Sequence, residues 1–146
     1  MTRINVGISV KALTDEHLLA EHREIKRLPD SYLKSLQSGS YKRIPNKFCL
    51  GTGHVLFFID KSLFTLNRYK QIHGECLLRK FNVEDYSNNW NIIKDSFKND
   101  YEFTSYDREL LLDRITERIK NSKQKVFHYY GKVISKDEAI ELLYLY

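Results

Sequence analysis

The chain has 146 residues, of which 42% are hydrophobic and 29% charged, with a formal net charge of +5. This is a globular balance, and no apolar run nears the roughly 18 residues that a membrane span requires, so a soluble single domain over residues 1–146 is expected. Cys49 and Cys76 form neither a metal-ligand spacing nor a disulfide framework, and the start MTRINVGISV lacks a secretory cleavage pattern; a disulfide-stapled secreted scaffold is excluded in favour of a cytoplasmic protein with two reduced, buried thiols.

In chain order, the first helix signal is Thr14 ahead of Asp15 and Glu16, a hydroxyl cap with carboxylates where the helix dipole favours them. Leu18, Leu19, His22, Ile25, Leu28, Tyr32, Leu33 and Leu36 follow at threes and fours, an apolar face that runs to Gly39 and is kinked or interrupted at Pro29. Residues 40–53 mix Ser, Gly, Pro and Asn and read as an irregular connection. Gly51-Thr52-Gly53 within it is a tight turn, because a dinucleotide loop needs a third glycine and a strand-turn-helix setting. The apolar run Val55–Ile59 suits a short strand. A second helix fits from Asp60 or Ser62 to Phe81, with Leu63, Leu66, Ile72, Cys76 and Leu77 sharing a face. Asn82 to Tyr101 is polar and reads as loop with at most one helical turn, Trp90 being a core plug. The third helix opens at Thr104, where Asp107 completes a capping-box pattern, and carries Leu110, Leu111, Ile115 and Ile119 inward. A short last helix starts at Ser135, boxed by Glu138, and runs through Ile140 and Leu143. The fold class is therefore all-α: three main helices with long loops and a short C-terminal helix.

Charge is unevenly spread. Between Arg114 and Lys132 lie Arg114, Arg118, Lys120, Lys123, Lys125 and Lys132 against Glu117 alone, so this stretch equals the whole chain's surplus. Phe127, His128, Tyr129 and Tyr130 are interleaved with these cations. Rings among cations suit stacking on bases and pairing with phosphates, although a solvated helix end gives the same charge count. Arg23 and Arg27 are four residues apart, as are Arg114 and Arg118, so each pair shares a helix face from which it can grip phosphates. Glu24, beside Arg23, reads as a surface ion pair on spacing alone. Thr2 is small enough for Met1 to be trimmed, leaving an α-amine next to Arg3; with a pKa of roughly 7.7–8.0, such an amine is a better nucleophile at neutral pH than a lysine, though a frayed terminus is the plainer reading. The five histidines never take the spacing of a zinc-protease helix, no serine-nucleophile elbow is present, and nothing near either cysteine lowers a thiol pKa.

The strings MTRINV (1–6), HLLAEHRE (17–24), GTGHVLFFIDK (51–61), GECLLRKFN (74–82), RITERI (114–119) and YYGK (129–132) together resemble, in order, the phage pyrimidine-dimer DNA glycosylases of ultraviolet repair, over residues 1–134. That resemblance implies a nearly all-helical fold whose N-terminal arm threads between helices. It implies a cofactor-free glycosylase with coupled strand cleavage, acting as a monomer on double-stranded DNA that contains ultraviolet lesions, with no metal, nucleotide cofactor or membrane involved. The Thr2 α-amine and Glu24 would be catalytic, and Arg3, Arg23, Arg27, Arg114, Arg118, Tyr129 and Tyr130 would bind DNA. Two other readings stay open: a glycosylase or abasic-site lyase for another lesion on the same scaffold, or a DNA-binding protein without chemistry. The sequence departs from a relative of that family in one extra residue between Arg3 and Glu24, in His22 where that relative has a tyrosine, and in Phe127-His128 where it has a more aromatic and cationic Trp-Tyr-Lys run. The extra residue calls for a bulge in the arm, and the tail Val133–Tyr146 runs beyond the resemblance with packing as its one evident role.

Overall fold

In the computed structural model, which describes residues 3–146, the Thr14 side chain accepts the His17 N–H and starts α1, Asp15–Ile25. The chain breaks for Lys26 and Arg27 and resumes as α2, Leu28–Ser38, with Pro29 in its first turn, where its missing N–H and fixed φ cost nothing. Gly39, at φ 80°, closes α2 in the left-handed conformation. The expected apolar face is largely buried through Leu18, His22, Ile25, Leu28 and Tyr32, while Leu33 lies exposed.

Residues 55–59 are not a strand. Gly51–Gly53 forms one tight 3-10 turn leading straight into α3, His54–Phe57, a single helical turn. The run is too short to show its period, and Phe57, Phe58 and Ile59 are all buried in the helical arrangement. Next, α4, Ser62–Leu78, buries Ser62, Thr65, Arg68, Tyr69, Ile72, Glu75 and Cys76. The expected face is half right: Ile72 and Cys76 point inward, but Leu63 and Leu77 are 43% and 54% exposed. A reading by hydropathy misses this face because Arg68 and Glu75 belong to it, each buried only because it is paired.

Between Leu78 and α5 the chain makes two short 3-10 turns, Ser87–Ile92 and Asp95–Phe97. Trp90 plugs the core and donates its indole N–H to Thr65 Oγ1 at 3.1 Å. The capping box at Thr104 and Asp107 opens α5, Ser105–Asn121, and Ser135 with Glu138 opens α6, Lys136–Leu145, both as the sequence indicates. Of the two cysteines, Cys76 is buried and Cys49 half-buried.

The basic segment after α5 is a hairpin: β1, Val126–Tyr129, pairs antiparallel with β2, Lys132–Ser135, Phe127 facing Ile134 and His128 facing Val133. Its two-residue turn has Tyr130 at φ 51° and Gly131 at φ 79°, the pair of left-handed residues of a type I′ connection. Glycine supplies one without strain. Tyrosine does not, and its backbone is held by Asp15, whose carboxylate accepts the N–H groups of Tyr130 and Gly131 at 3.1 and 2.9 Å. The all-helical expectation thus holds apart from this ribbon.

The N-terminal arm is the centre of the fold. Ile4, Val6 and Ile8 are buried in one core with Leu18 and Ile25 of α1, Tyr69 and Ile72 of α4, and Leu111 and Ile115 of α5. The arm turns at Asn5–Ile8, where Ile8 N–H donates to the Asn5 carbonyl and Gly7 takes φ 76°. A Cβ at Gly7 would lie 2.9 Å from the Phe103 ring and 3.1 Å from Arg108, so the position demands glycine for both its angle and its space.

Candidate active site

The arm is gripped by polar side chains from four helices. Ile4 N–H donates to His54 Nε2 of α3 at 3.2 Å. The Asn5 backbone N–H and its side-chain amide both donate to the Glu21 carboxylate of α1, at 3.2 and 2.6 Å. Arg68 of α4 closes a two-pronged ion pair on Glu21, at 2.8 and 3.0 Å, and reaches the Ile8 carbonyl. Arg108 of α5 donates to the Gly7 carbonyl. Glu21 is 0% exposed, and a carboxylate tolerates that position only because four N–H donors meet its two oxygens.

Beyond this grip lies a group of charges. Arg3, Glu24 and Arg114 are half-buried, and Arg23 and Arg27 are exposed at the C-terminal end of α1. One Glu24 oxygen, Oε2, and the Nε of Arg3 are buried without a hydrogen-bond partner among the described residues. Burial and the neighbouring Arg3 push the Arg114 guanidinium down from its ordinary value, offset in part by Glu24. Arg3 and Arg114 thus lie close enough to repel one another, and Glu24 close enough to favour the charged Arg114. Arg114 and Arg118 line a cleft of about 640 Å³ with Leu50, Leu110, Asp113, Glu117 and Asn121. A larger cleft, about 1100 Å³, lies over Gly7–Val10, Phe64, Asp100 and Glu102 and contains none of the expected site residues. The smaller one is the better candidate because the arginines border it.

His17 stands beside this group. Its ring stacks on Phe127 with centroids 5.6 Å apart, and its Nδ1 lies 2.7 Å from Thr14 Oγ1. Burial, with help from Arg3, lowers it from the ordinary 6.5 to about 4, so it is neutral at pH 7.

The structure brings together Arg3, Glu24 and Arg114, sets Arg23 and Arg27 on the surface beside them, and places Arg118 one turn along α5 from Arg114. Thr2 lies outside the described residues. Tyr129 and Tyr130 are held elsewhere, over a second polar network. Arg79 donates to Glu75 and Asp15, both at 2.9 Å, and to the carbonyls of Leu13 and Val10. Both tyrosine rings lie over its guanidinium, at 4.8 and 4.7 Å. The Tyr130 hydroxyl donates to Glu75, and that of Tyr129 to the Lys11 carbonyl. The aromatic run is thus not a free stacking platform: Phe127 is 3% exposed, and His128 donates its backbone N–H to Glu16. Tyr130 still shows 41% of its surface.

Sequence reasoning missed Asn5, Glu21, His54, Arg68, Glu75 and Arg79. A charged residue at a helix position reads as solvent-facing, and its buried partner lies 16 to 64 residues away in the pairs Asn5–Glu21, Glu21–Arg68 and Asp15–Arg79. The one local hint was Glu75 with Arg79, four apart at the C-terminal end of α4, where Arg79 is the cap.

A nearly all-helical fold with arginines about a half-buried carboxylate and a buried amino-terminal arm agrees with what the sequence resemblance implies. The family profile described as pyrimidine dimer DNA glycosylase matches residues 1–89, and the chain belongs to that family. The matched part holds Thr2, Arg3, Arg23, Glu24 and Arg27; α5, the hairpin and α6 follow it. Among the described residues, no helix is long and apolar enough to cross a membrane.

Proposed function

We propose that this chain excises the 5′ base of cyclobutane pyrimidine dimers in duplex DNA and then cuts the strand at the resulting abasic site, acting as a monomer over a single domain. The observation that carries this reading is the buried Oε2 of Glu24, without a hydrogen-bond partner among the described residues, near Arg3 and Arg114. A half-buried carboxylate with an unused oxygen, bordered by phosphate-binding groups, is suited to meet a cationic sugar or an incoming amine. With Met1 removed, the Thr2 α-amine is one residue from Arg3 and two from the fixed Ile4. The amine nitrogen bonds to C1′ as the glycosidic bond breaks and the base leaves with the bonding pair. The new ammonium gives up a proton, by way of Glu24, to O4′ as the C1′–O4′ bond breaks, so the sugar ring opens and the nitrogen lone pair closes an iminium. Glu24 takes a C2′ proton, and the electrons of that C–H bond expel the 3′ phosphate by β-elimination; water then hydrolyses the imine and frees the enzyme.

Arg3, Arg23, Arg27, Arg114 and Arg118 hold the phosphates on either side, and Tyr130 offers its exposed edge to the minor contacts of the duplex. A bent duplex with a base turned out opposite the lesion would let all five arginines reach phosphate at once, at a cost of a few kcal/mol that is least where pairing is already damaged. Nicking of irradiated, abasic and intact plasmid in the presence of a chelator tests the reading. The expected result is cleavage of the first two and not the third, with Glu24→Gln binding irradiated duplex within about threefold of wild type while cutting at least about 100-fold more slowly. Cleavage of abasic plasmid alone would reassign the lesion, and binding without nicking would leave a DNA-binding protein.

A further inference from the structure

His54 is a buried histidine that the chemistry above does not use. It opens α3, and the rings of Phe48 and Phe58 meet it edge-on at 5.6 and 5.4 Å. Both ring nitrogens are engaged: Nδ1 lies 3.0 Å from the Cys49 carbonyl and Nε2 lies 3.2 Å from the Ile4 nitrogen. A carbonyl only accepts and a backbone N–H only donates, so the ring is fixed as the neutral tautomer with its proton on Nδ1. No other side chain makes a hydrogen bond to the Ile4 N–H among the described residues.

We propose that His54 is a positioning residue for the Thr2 amine: as a neutral acceptor it fixes the backbone at Ile4, and thereby the course of the chain at Arg3, to which Thr2 is joined. The inference rests on the amine reading above. Glu21 anchors the next residue, Asn5, so the two contacts together fix successive peptide planes of the arm. Burial and the nearby Arg114 hold the imidazole below its ordinary 6.5, against the Cys49 carbonyl and Glu21, which favour the charged form. A proton on Nε2 would set N–H against N–H and release Ile4. Orientation of a reacting group is worth a great deal, since a displacement of about 1 Å costs on the order of 100-fold in rate.

Three proteins test this: wild type, His54→Phe, which keeps the ring volume and loses the acceptor, and His54→Gln, whose amide oxygen can restore it. Each is measured for affinity to a duplex with an uncleavable abasic-site analogue and for the single-turnover rate of borohydride-trapped adduct on abasic duplex. The expectation is affinity within about threefold for all three, a trapping rate lowered at least about tenfold in His54→Phe, and recovery of most of that loss in His54→Gln. Should His54→Phe fail to fold, Cys49 offers a ligation junction at which a synthetic segment carrying an ester in place of the Ile4 amide is joined; loss of the N–H alone must then slow trapping at unchanged affinity. Equal trapping rates in folded variants, or affinity and rate falling together, overturn the proposal. A wild type that forms no adduct at all overturns the amine reading and this inference with it, whereas a wild type that traps normally beside an equally fast His54→Phe overturns only the role of His54.

Discussion

Replacing Arg68 by methionine keeps most of the side chain's apolar length and removes the guanidinium that neutralises Glu21. Arg68 supplies two of the four N–H groups on that carboxylate and a third to the Ile8 carbonyl, and its side chain is 7% exposed against 0% for Glu21. The variant therefore strands a carboxylate in the core with only Asn5 for company. Breaking a buried pair from one side costs about 3–5 kcal/mol, a large part of the roughly 5–15 kcal/mol by which a domain is stable. With a urea m-value of about 2 kcal/mol/M, the midpoint should fall by about 1.5–2.5 M at unchanged m. A companion measurement distinguishes stranded charge from lost packing. Removing both partners, as Arg68→Met with Glu21→Met, should be less destabilising than Arg68→Met alone, because no charge is left behind. A single variant that costs under about 1 kcal/mol, or a double variant that costs the sum of the two singles, would refute the view that this pair anchors the arm by charge.

Other outcomes follow from the same structure. If five arginines meet phosphate, the logarithm of affinity should fall with the logarithm of salt concentration at a slope of about −4.5, and Arg23→Ala should flatten it by about 1; a slope shallower than about −2 would remove most of that set. His22 is buried against His73 and Tyr69, with nitrogen and oxygen neighbours at 3.1 and 3.2 Å, and burial, His73 and Lys26 lower it from the ordinary 6.5 to about 4. The unfolded chain takes up this proton first as pH falls, so the stability held in full above pH 6.5 is lost progressively toward pH 4, about 2 kcal/mol of it by pH 5. His22→Tyr should lose less between pH 7.5 and 5.0 in urea titrations, and equal losses would show that His22 is not the acid-sensitive group.

The elements were legible where the signals are local. Thr14, Thr104 and Ser135 cap their helices as their side chains and spacing indicate, and Pro29 divides the first apolar stripe near where its geometry demands. Two features were not legible, for different reasons. The hairpin is four residues a side, its turn begins with a tyrosine, and it exists because Asp15, 115 residues earlier, accepts the turn's N–H groups. The buried polar networks escape any reading by hydropathy, since Glu21, Arg68, Glu75 and Arg79 have the appearance of surface residues until their partners are known. The strings that carry the family resemblance nevertheless include Asn5, Glu21, His54, Glu75, Arg79 and Tyr130, each of which is tied into one of these networks. They record the grip on the arm and the hairpin as much as the chemistry. Of the candidate site, Glu24 and the arginines were named from spacing and resemblance, and that Arg3, Glu24 and Arg114 are half-buried was readable from neither.

The central claim is that the amino-terminal nitrogen is the nucleophile, with Glu24 as its acid–base partner, and trapping with borohydride tests it most directly. Incubated with irradiated or abasic duplex and reduced, the protein should yield one covalent adduct whose mass maps to the peptide that begins at Thr2, and prior acetylation of that amine should abolish it. An adduct on a lysine, or strand cleavage that survives a blocked terminus, would contradict the account.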